Sequence, residues 1–256
     1  MQVGFVIKNQ KRQSRQLAEY SDISNLKGVH QGRKCFVCAA GPSIGFLDLS
    51  DIHEHVVIAI NSSILLMDWD KGEKDRRYWI SNDSLCLYWN FFWRNVLRSK
   101  CQKLVRTSWK PHDEKIRGHG FRYFAPRKRE RLLLSSQDGR LCSNSSLPTG
   151  IDLATLLASP GANIFLLGAD HKMVSGKSHF WQFWPKEKWP QRKDKGRNYC
   201  PEQSHQIRKF QTNKHSYIAL KEYANRLGSK IYNCSTRTTI SDSIFPRISL
   251  ERALEL

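Results

Sequence analysis

Residues 34–43 read KCFVCAAGPS. The apolar run is rich in strand-forming residues and closes at a Gly-Pro pair, so it predicts a short buried strand that ends in a tight turn. Similar runs follow along the chain: VVIAIN at 56–61, RYWISND at 77–83 and NIFLLGAD at 163–170. These runs are continuous rather than alternating, which is typical of strands covered on both faces of a parallel sheet.

Helical patterns alternate with the strands. They cover 85–98, TGIDLATLLASPG at 149–161 and HSYIALKEYANRLG at 215–228, and further strands are predicted at 102–107 and 229–235. This alternation favours an α/β fold, namely a Rossmann-like, mostly parallel sheet with helices on both faces. Residues 108–148 show no clear pattern.

The domain boundaries follow from composition. Residues 1–27 are polar and basic and are interpreted as an N-terminal arm, whereas 28–256 are interpreted as one domain. Residues 171–214 form a long polar and aromatic insertion that resembles a lid over a site.

Cys35 and Cys38 form a Cys-x-x-C pair inside the first predicted strand. Residues three apart on a strand point to opposite faces, so the two thiols are not expected to share a metal ion or a disulfide. The chain has seven cysteines, an odd number, and no second Cys-x-x-C. We therefore expect reduced, inert thiols and no zinc.

The chain carries 42 basic and 23 acidic residues, a formal net charge of +19. Such a charge attracts polyanions: nucleic acid, an anionic membrane surface or phosphorylated substrates. No apolar run approaches the roughly 18 residues of a membrane helix, and no secretory signal is apparent, so a cytoplasmic protein without a transmembrane segment is predicted.

In parallel sheets, ligands bind outside the carboxyl ends of the strands. The residues that follow the predicted strands are therefore the candidate binding residues, and most are small or polar. They are Gly41-Pro42-Ser43, Asn61, Asn82-Asp83, Asp170-His171-Lys172 and Asn233.

The stretch GVHQGRKCFVCAAGPSIGFLDLSDI resembles the start of the MptE-like family, which includes 6-hydroxymethyl-dihydropterin pyrophosphokinases and motility-associated glycosyltransferases. That family is similar in fold to bacterial sialyltransferases that use CMP-sialic acid. Further matches are AINSSI, SND, TGIDLATLLA before NIFLLGADH, SHF and the tail KIYNCSTRTTISDSIFPRISLERAL. The resemblance covers roughly residues 28–254.

The resemblance implies a role for each matching residue. A turn of Gly41, Pro42 and Ser43 would bind the nucleotide phosphate, and Asn61 and Asn82 would contact the donor. Asp83 would lie near the phosphates or a metal, Thr149 and Gly150 would hold the donor at a helix N-terminus, and Asp170 and His179 would line the reaction centre.

Two positions depart from the family pattern. Ala40 stands where an asparagine contacts the nucleotide in sialyltransferase-like members, so the donor is not fixed by the resemblance. The catalytic histidine of the sialyltransferases falls near Gln211, with His205 and His215 close by as candidates.

Four candidates keep a structural alternative. Asp170 is expected to bind a sugar hydroxyl, to bind Mg²⁺ or to act as a base. The structural alternative is that its carboxylate caps the following loop. His179 suits a general base or packs among aromatic residues. The aromatic and basic segment 180–199 is expected either to bind an acceptor, to close over the site as a lid, or to form a hydrophobic cluster. The basic cluster is expected either to contact a polyanion or to form a solvated face; it consists of Arg127, Lys128, Arg129 and Arg131.

These features favour a transferase that moves a sugar from a nucleotide sugar to a hydroxyl acceptor, with an acidic glycan or nucleic acid as an anionic acceptor. One alternative is pyrophosphoryl transfer from ATP, with Asp83 and Asp170 holding Mg²⁺. Another is a non-catalytic nucleic-acid-binding protein.

Overall fold

The computed structural model describes residues 23–69, 72–127, 140–143, 145–188 and 203–256, with side chains from 207 onward in the last range. Within these residues, eight strands form one sheet. They are β1 Cys35–Cys38, β2 Val56–Ile60, β3 Arg77–Ser81, β4 Gln102–Arg106, β5 Phe121–Arg127, β6 Arg140–Cys142, β7 Asn163–Leu167 and β8 Lys230–Asn233.

The strand order is β6-β5-β4-β3-β2-β1-β7-β8, and every neighbouring pair is parallel. The chain runs outward from β1 to β6, then returns to the other side of β1 to form β7 and β8. The order therefore reverses between β1 and β7, and a crevice is expected outside the carboxyl ends of these two strands.

In the described part of the chain, four α-helices accompany the sheet: α1 Asn90–Arg98, α2 Ser146–Ala158, α3 Gln203–Arg226 and α4 Leu250–Glu255. Helices α2 and α3 contribute to the core on one face, and α1 and α4 to the core on the other. The predicted α/β fold, a parallel sheet with helices on both faces, is confirmed. None of the described helices is both long and apolar enough to cross a membrane.

Cys35 and Cys38 point to opposite faces of β1, as their spacing predicts. Cys35 belongs to the core beneath α2, and Cys38 to the core on the other face. Burial raises the pKa of both thiols well above its usual value, so both stay protonated near neutral pH.

Three boundaries differ from the sequence prediction. Helix α2 begins three residues earlier than predicted, and α3 begins at Gln203 rather than at 215. The distal part of the predicted insertion is therefore helical, while 189–202 lie outside the described residues. At the N-terminus, Ile23 and Leu26 are buried in the core, so the arm contributes residues to the domain from position 23 onward.

The carbonyl groups at the end of α2 are capped by the turn at 28–32. The backbone N–H groups of Gly28, His30 and Gly32 donate to the last three carbonyls of the helix at 2.8–2.9 Å. Both glycines have positive φ, +68° and +73°. The turn thus satisfies carbonyl groups that have no partner within the helix.

Candidate active site

A cavity of about 370 Å³ opens at the carboxyl ends of the strands, next to the point where the strand order reverses. Its walls come from the residues that follow β1, β2, β3, β4, β6 and β7, together with part of α3. Of the sequence-predicted site residues, it brings together Gly41, Asn61, Asn82, Asp83, Asp170 and His179. Because these six residues come from five separate segments of chain, the cavity is the candidate active site.

Gly41 lies where the turns after β1 and β7 touch. Its N–H donates to the carbonyl oxygen of Gly168 at 3.0 Å. A Cβ atom at Gly41 would clash with that oxygen and would lie 2.7 Å from Asp170 Oδ2. The glycine is therefore required by the neighbouring loop, whereas the sequence argument assigned its small size to the approach of a ligand.

Ser43 and Asp170 bind each other. Asp170 is 1% exposed, and its two carboxylate oxygens accept hydrogen bonds from Ser43 N at 2.7 Å and Ser43 Oγ at 2.5 Å. Burial raises the pKa of Asp170 to about 6, and the Ser43 hydrogen bonds oppose this shift. Pro42 and Ser43 are buried and do not line the cavity, so Ser43 is used to hold Asp170 and not to face the open space.

Asn61 follows β2 with φ +53°, a left-handed conformation that is uncommon outside glycine. Its carbonyl oxygen accepts a hydrogen bond from Trp79 Nε1 at 2.9 Å, and its side-chain amide reaches Ser146 Oγ at 3.5 Å. Strained backbone of this kind is often found at functional sites.

Asn82 and Asp83 follow β3. Asn82 Nδ2 donates to Thr149 Oγ1 at 2.7 Å, while its Oδ1 atom is buried and has no hydrogen-bond partner in the described part of the chain. Asp83 caps the 3-10 helix Ser84–Tyr88 by accepting from Leu85 N at 2.9 Å.

Thr149 and Gly150 lie in the first turn of α2, but they face inward. The Thr149 hydroxyl donates within the turn, to Cys142 O and Ser145 O, and a Cβ at Gly150 would clash with Ile60. Neither residue lines the cavity; the residues that do so from this helix start are Ser145, Ser146 and Leu147. The predicted helix start is thus present, three residues earlier in the sequence.

Two histidines line the cavity. His171 Nε2 lies 2.5 Å from the Tyr217 hydroxyl, and partial burial lowers its pKa to about 4, so the ring is neutral. His179 Nδ1 lies 2.8 Å from Ser178 Oγ, and its ring stacks on Trp181 with centroids 5.3 Å apart. His179 was predicted, and His171 was noted only as a residue that follows a strand.

The candidates on α3 have different positions. His215 is exposed and does not line the cavity, and the side chain of His205 lies outside the described residues. The same helix places Lys209 and Asn213, four residues apart, on the cavity wall. Asn213 is 2% exposed, and its Oδ1 has no hydrogen-bond partner among the described residues. Sequence reasoning missed both because it took this stretch as an irregular insertion.

Arg106, the last residue of β4, also lines the cavity and was missed. Its Nε atom is buried without a partner in the described part of the chain. The rule that selects residues after a strand passed over Arg106, because the predicted strand at 102–107 includes it.

A second cavity, of about 130 Å³, lies beside the first. Asn61, Asp83, His179 and Lys209 line both cavities, and the far wall of the second is aromatic. The aromatic residues are Trp89, Phe91, Phe92 and Trp181. An aromatic wall of this kind suits the apolar face of a sugar ring or of a base.

The two basic segments singled out in the sequence have different outcomes. Arg127 is buried, donates to Arg140 O at 2.6 Å and pairs with Asp152 at 3.5 Å, so it is unsuited to contact an external polyanion. Its neighbours Lys128, Arg129 and Arg131 lie outside the described residues. In the other segment, Phe180 and Trp181 are buried in the core, and Trp181 also lines the second cavity. Trp189 is outside the described part.

The proposed Mg²⁺ ligands fit a metal poorly. Both oxygens of Asp170 already accept hydrogen bonds from Ser43, and Asp83 is the remaining carboxylate on the cavity wall. No group of three His, Cys, Asp or Glu residues in the described chain is arranged to hold a metal ion. We therefore derive no step through Mg²⁺.

No family model matches the sequence, and a search of curated proteins finds no significant match. The resemblance to the MptE-like family consequently stays a prediction.

Two solved structures are similar to this chain. Both are of the sialyltransferase CstII from Campylobacter jejuni in complex with a substrate analogue, one with cytidine-5'-monophosphate and one with CMP-3FNeuAc. The first is 12% identical, covers 88% of this chain and 87% of that chain, and has a TM-score of 0.47. The second is 14% identical, covers 88% of each chain, and has a TM-score of 0.43. At this identity the likeness concerns the fold alone.

Proposed function

We propose that the chain is a transferase that moves a sugar from a nucleotide sugar to a hydroxyl acceptor. The observation that carries the proposal is the pair of adjoining cavities, which share His179 as a common wall residue. The larger cavity lies where α/β folds bind nucleotides and has room for a donor. The smaller one offers an aromatic wall to an acceptor ring.

His179 is the proposed general base. His179 Nδ1 lies 2.8 Å from Ser178 Oγ, which lies 3.1 Å from Gln182 Oε1. We assign the tautomer in which Nδ1 donates to Ser178 Oγ and that hydroxyl donates to Gln182 Oε1. In that tautomer the Nε2 atom carries the lone pair. Backbone N–H groups of Ser178 and His179 also donate to Gln182 Oε1, at 2.7 and 2.9 Å, which fixes the orientation of this segment.

The reaction is then a displacement at the anomeric carbon of the donor sugar. The acceptor oxygen forms a bond to that carbon, and the bond between the carbon and the phosphate oxygen breaks. The phosphate leaves with the bonding electrons, and His179 Nε2 takes the acceptor proton. Asp170 acts by holding the turn after β1 through Ser43.

The test has a binding step and a turnover step. CMP, UDP, GDP and ATP and their sugar conjugates are screened for thermal stabilisation, with and without Mg²⁺. A ligand at 100 times its dissociation constant stabilises a protein by about 2.7 kcal/mol, which is a shift of several degrees in a chain of this size. Transfer is then measured as release of the free nucleotide in the presence of acceptors.

His179→Gln should lower turnover by about 10²- to 10⁴-fold and leave the affinity for the nucleotide nearly unchanged. His215→Gln is the matched control, because His215 is exposed and lies away from the cavity. The proposal fails if no nucleotide or nucleotide sugar stabilises the protein, or if His179→Gln transfers sugar at the wild-type rate. Retention of polyanion binding alone would favour the nucleic-acid-binding alternative.

A further inference from the structure

Arg106 is a cation on the cavity wall, and no counter-ion for it is found among the described residues. It is partly buried at the end of β4, and its Nε atom has no hydrogen-bond partner in the described part of the chain. No ion pair within the described residues involves this guanidinium, although Asp83 lines the same cavity. Burying an unpaired charged donor is costly, so a site of this kind gains free energy when an anionic oxygen binds.

Two amide oxygens accompany Arg106. Asn82 Nδ2 donates to Thr149 Oγ1 at 2.7 Å, and that hydroxyl in turn donates to backbone carbonyls. Thr149 therefore has to act as an acceptor toward Asn82, which sets the orientation of the amide and leaves Asn82 Oδ1 as the buried atom without a partner.

Asn213, on α3, supplies the second oxygen to the same cavity. It is 98% buried, lines the cavity, and its Oδ1 has no partner among the described residues. A polar side chain this deeply buried is normally hydrogen-bonded in a folded protein. The natural partner of both amide oxygens is a ligand that carries hydroxyl or N–H groups.

Strand register places Arg106 beside Asn82. Ser81 of β3 pairs with Val105 of β4, so the residues that come next in the chain, Asn82 and Arg106, are neighbours at the edge of the sheet. Arg106 ends β4, whereas Gly41 comes after β1, three strands away. At about 4.8 Å per strand, this separation is roughly 14 Å. Arg106 therefore contacts a different part of a ligand from the part that reaches the turn after β1.

We propose that Arg106, Asn82 and Asn213 form a subsite for an anionic oxygen group, a phosphate or a carboxylate, on a ligand that also presents hydroxyl or N–H groups to the two asparagines. The guanidinium binds the anion through two parallel N–H donors, and the amide oxygens accept from the neighbouring groups. The identity of the ligand as the donor rests on the proposed function, but the chemistry of the subsite does not.

Calorimetric titration tests the subsite directly. The probes are inorganic phosphate, the monophosphates of cytidine, uridine, guanosine and adenosine, the four nucleosides, and glucuronate. Arg106→Gln should weaken the tightest anionic probe by about 10- to 100-fold, the usual range for a hydrogen bond to a charged group, and leave the nucleosides within about 2-fold. Arg106→Lys should recover part of the loss, because it restores the charge but not the paired donors.

Arg94→Gln is the matched control. It removes the same charge from an exposed position on α1 that does not line either cavity, and it should change each dissociation constant by less than 2-fold. A loss confined to the monophosphates and phosphate identifies the bound group as a phosphate, and a loss confined to glucuronate identifies it as a carboxylate; either supports the subsite.

The subsite is refuted if Arg106→Gln binds every anionic probe as tightly as the wild type, if it loses the nucleosides to the same extent, or if no anionic probe binds the wild type at millimolar concentration. These outcomes separate the subsite from the proposed function. Unchanged anion binding by Arg106→Gln, together with unimpaired sugar transfer, would remove the subsite and keep the function. Anion binding that depends on Arg106, without transfer of any sugar, would keep the subsite and remove the function.

Discussion

At Asp170, burial and hydrogen bonding act on one carboxyl group in opposite directions. Burial has the larger effect, and the pKa rises to about 6 despite two hydrogen bonds from Ser43. In an unfolded chain the pKa of aspartate is about 3.9. Between these values the folded protein keeps a proton that the unfolded chain has lost. The contribution of Asp170 to the free energy of unfolding is therefore greatest below about pH 4, falls as the pH rises to about 6, and is constant above that.

The first prediction concerns Asp170→Asn, which has no such titration. The difference in free energy of unfolding between Asp170→Asn and the wild type should increase by about 2–3 kcal/mol, in favour of the variant, from pH 4 to pH 7. Denaturant unfolding at the two pH values measures this difference. Because the variant is compared with the wild type, the contributions of the other acidic groups to the pH dependence cancel. A difference that does not change with pH would contradict the raised pKa.

Asp170→Asn should also lower turnover at pH 7, because the amide binds the Ser43 turn differently from a carboxylate. A protein that only binds polyanions should keep its affinity after this substitution.

The second prediction concerns Cys35 and Cys38, which lie in separate cores on the two faces of β1. Replacing each with Ala should lower the free energy of unfolding by about 0.5–3 kcal/mol, as is usual for buried positions. Because the two side chains do not share a core, the effects should add to within about 0.5 kcal/mol in the double variant. Activity should persist. Strong coupling between the two substitutions, or loss of activity in a folded double variant, would indicate a joint role for the thiols.

Among the elements, the pairing of β5 with α2 depends on a buried ion pair. Arg127 on β5 and Asp152 on α2 have side chains 2% and 0% exposed, 3.5 Å apart. Arg127 also donates to Arg140 O, and Asp152 accepts from Cys142 N at 2.6 Å. One charged pair thus connects β5, β6 and α2, and α2 begins at the cavity.

The third prediction follows from this connection. Arg127→Met should lower the free energy of unfolding by about 3–5 kcal/mol, because it leaves the Asp152 carboxylate buried without its cation. Arg122→Met, on the same strand with a solvent-exposed hydrogen bond to Asn25, should cost less than about 0.5 kcal/mol. Chemical denaturation of both variants measures the difference. Equal and small effects would show that the pair contributes little to the fold.

The same elements show how far the fold could be predicted from the sequence. Strands β1, β2, β3 and β7 were predictable because they are central and covered on both faces, which gives continuous apolar runs. Strands β5 and β6 lie at one edge of the sheet, where five of the seven residues of β5 are only partly buried and β6 has three residues. Such edge strands leave little periodic signal, so residues 108–148 could not be interpreted.

The site was predictable where it follows from the fold, since the ends of β1, β2, β3 and β7 all reach the cavity. Lys209 and Asn213 could not be predicted, because their place on the wall depends on how α3 packs across the sheet. The inward orientation of Ser43 depends likewise on a contact with Asp170, 127 residues away.

For the whole molecule, the net charge of +19 remains the strongest indication about the acceptor. The fourth prediction is that the acceptor is anionic, so its Michaelis constant should rise steeply with salt. Six phosphate contacts on duplex DNA would give a log–log slope of the association constant near −5, whereas a neutral acceptor would give a shallow slope. Nucleotide binding in the cavity should respond less, which provides an internal control. If the Michaelis constant of the acceptor does not change between about 50 and 200 mM salt, a small neutral acceptor is the better interpretation.

The loop that carries Asp170 is held by chain that comes much later in the sequence. Ser235 Oγ accepts from Ala169 N at 2.7 Å, Thr238 Oγ1 donates to Ala169 O at 2.8 Å, and Thr239 N donates to Asp170 O at 2.9 Å. Thr238 is 69 residues beyond Ala169. At ribosomal rates of about 5–20 residues per second, roughly 3 to 14 s pass between the synthesis of these two partners. During that interval these hydrogen bonds cannot form, so the loop that carries Asp170 reaches its final geometry only after residue 239 has been synthesised.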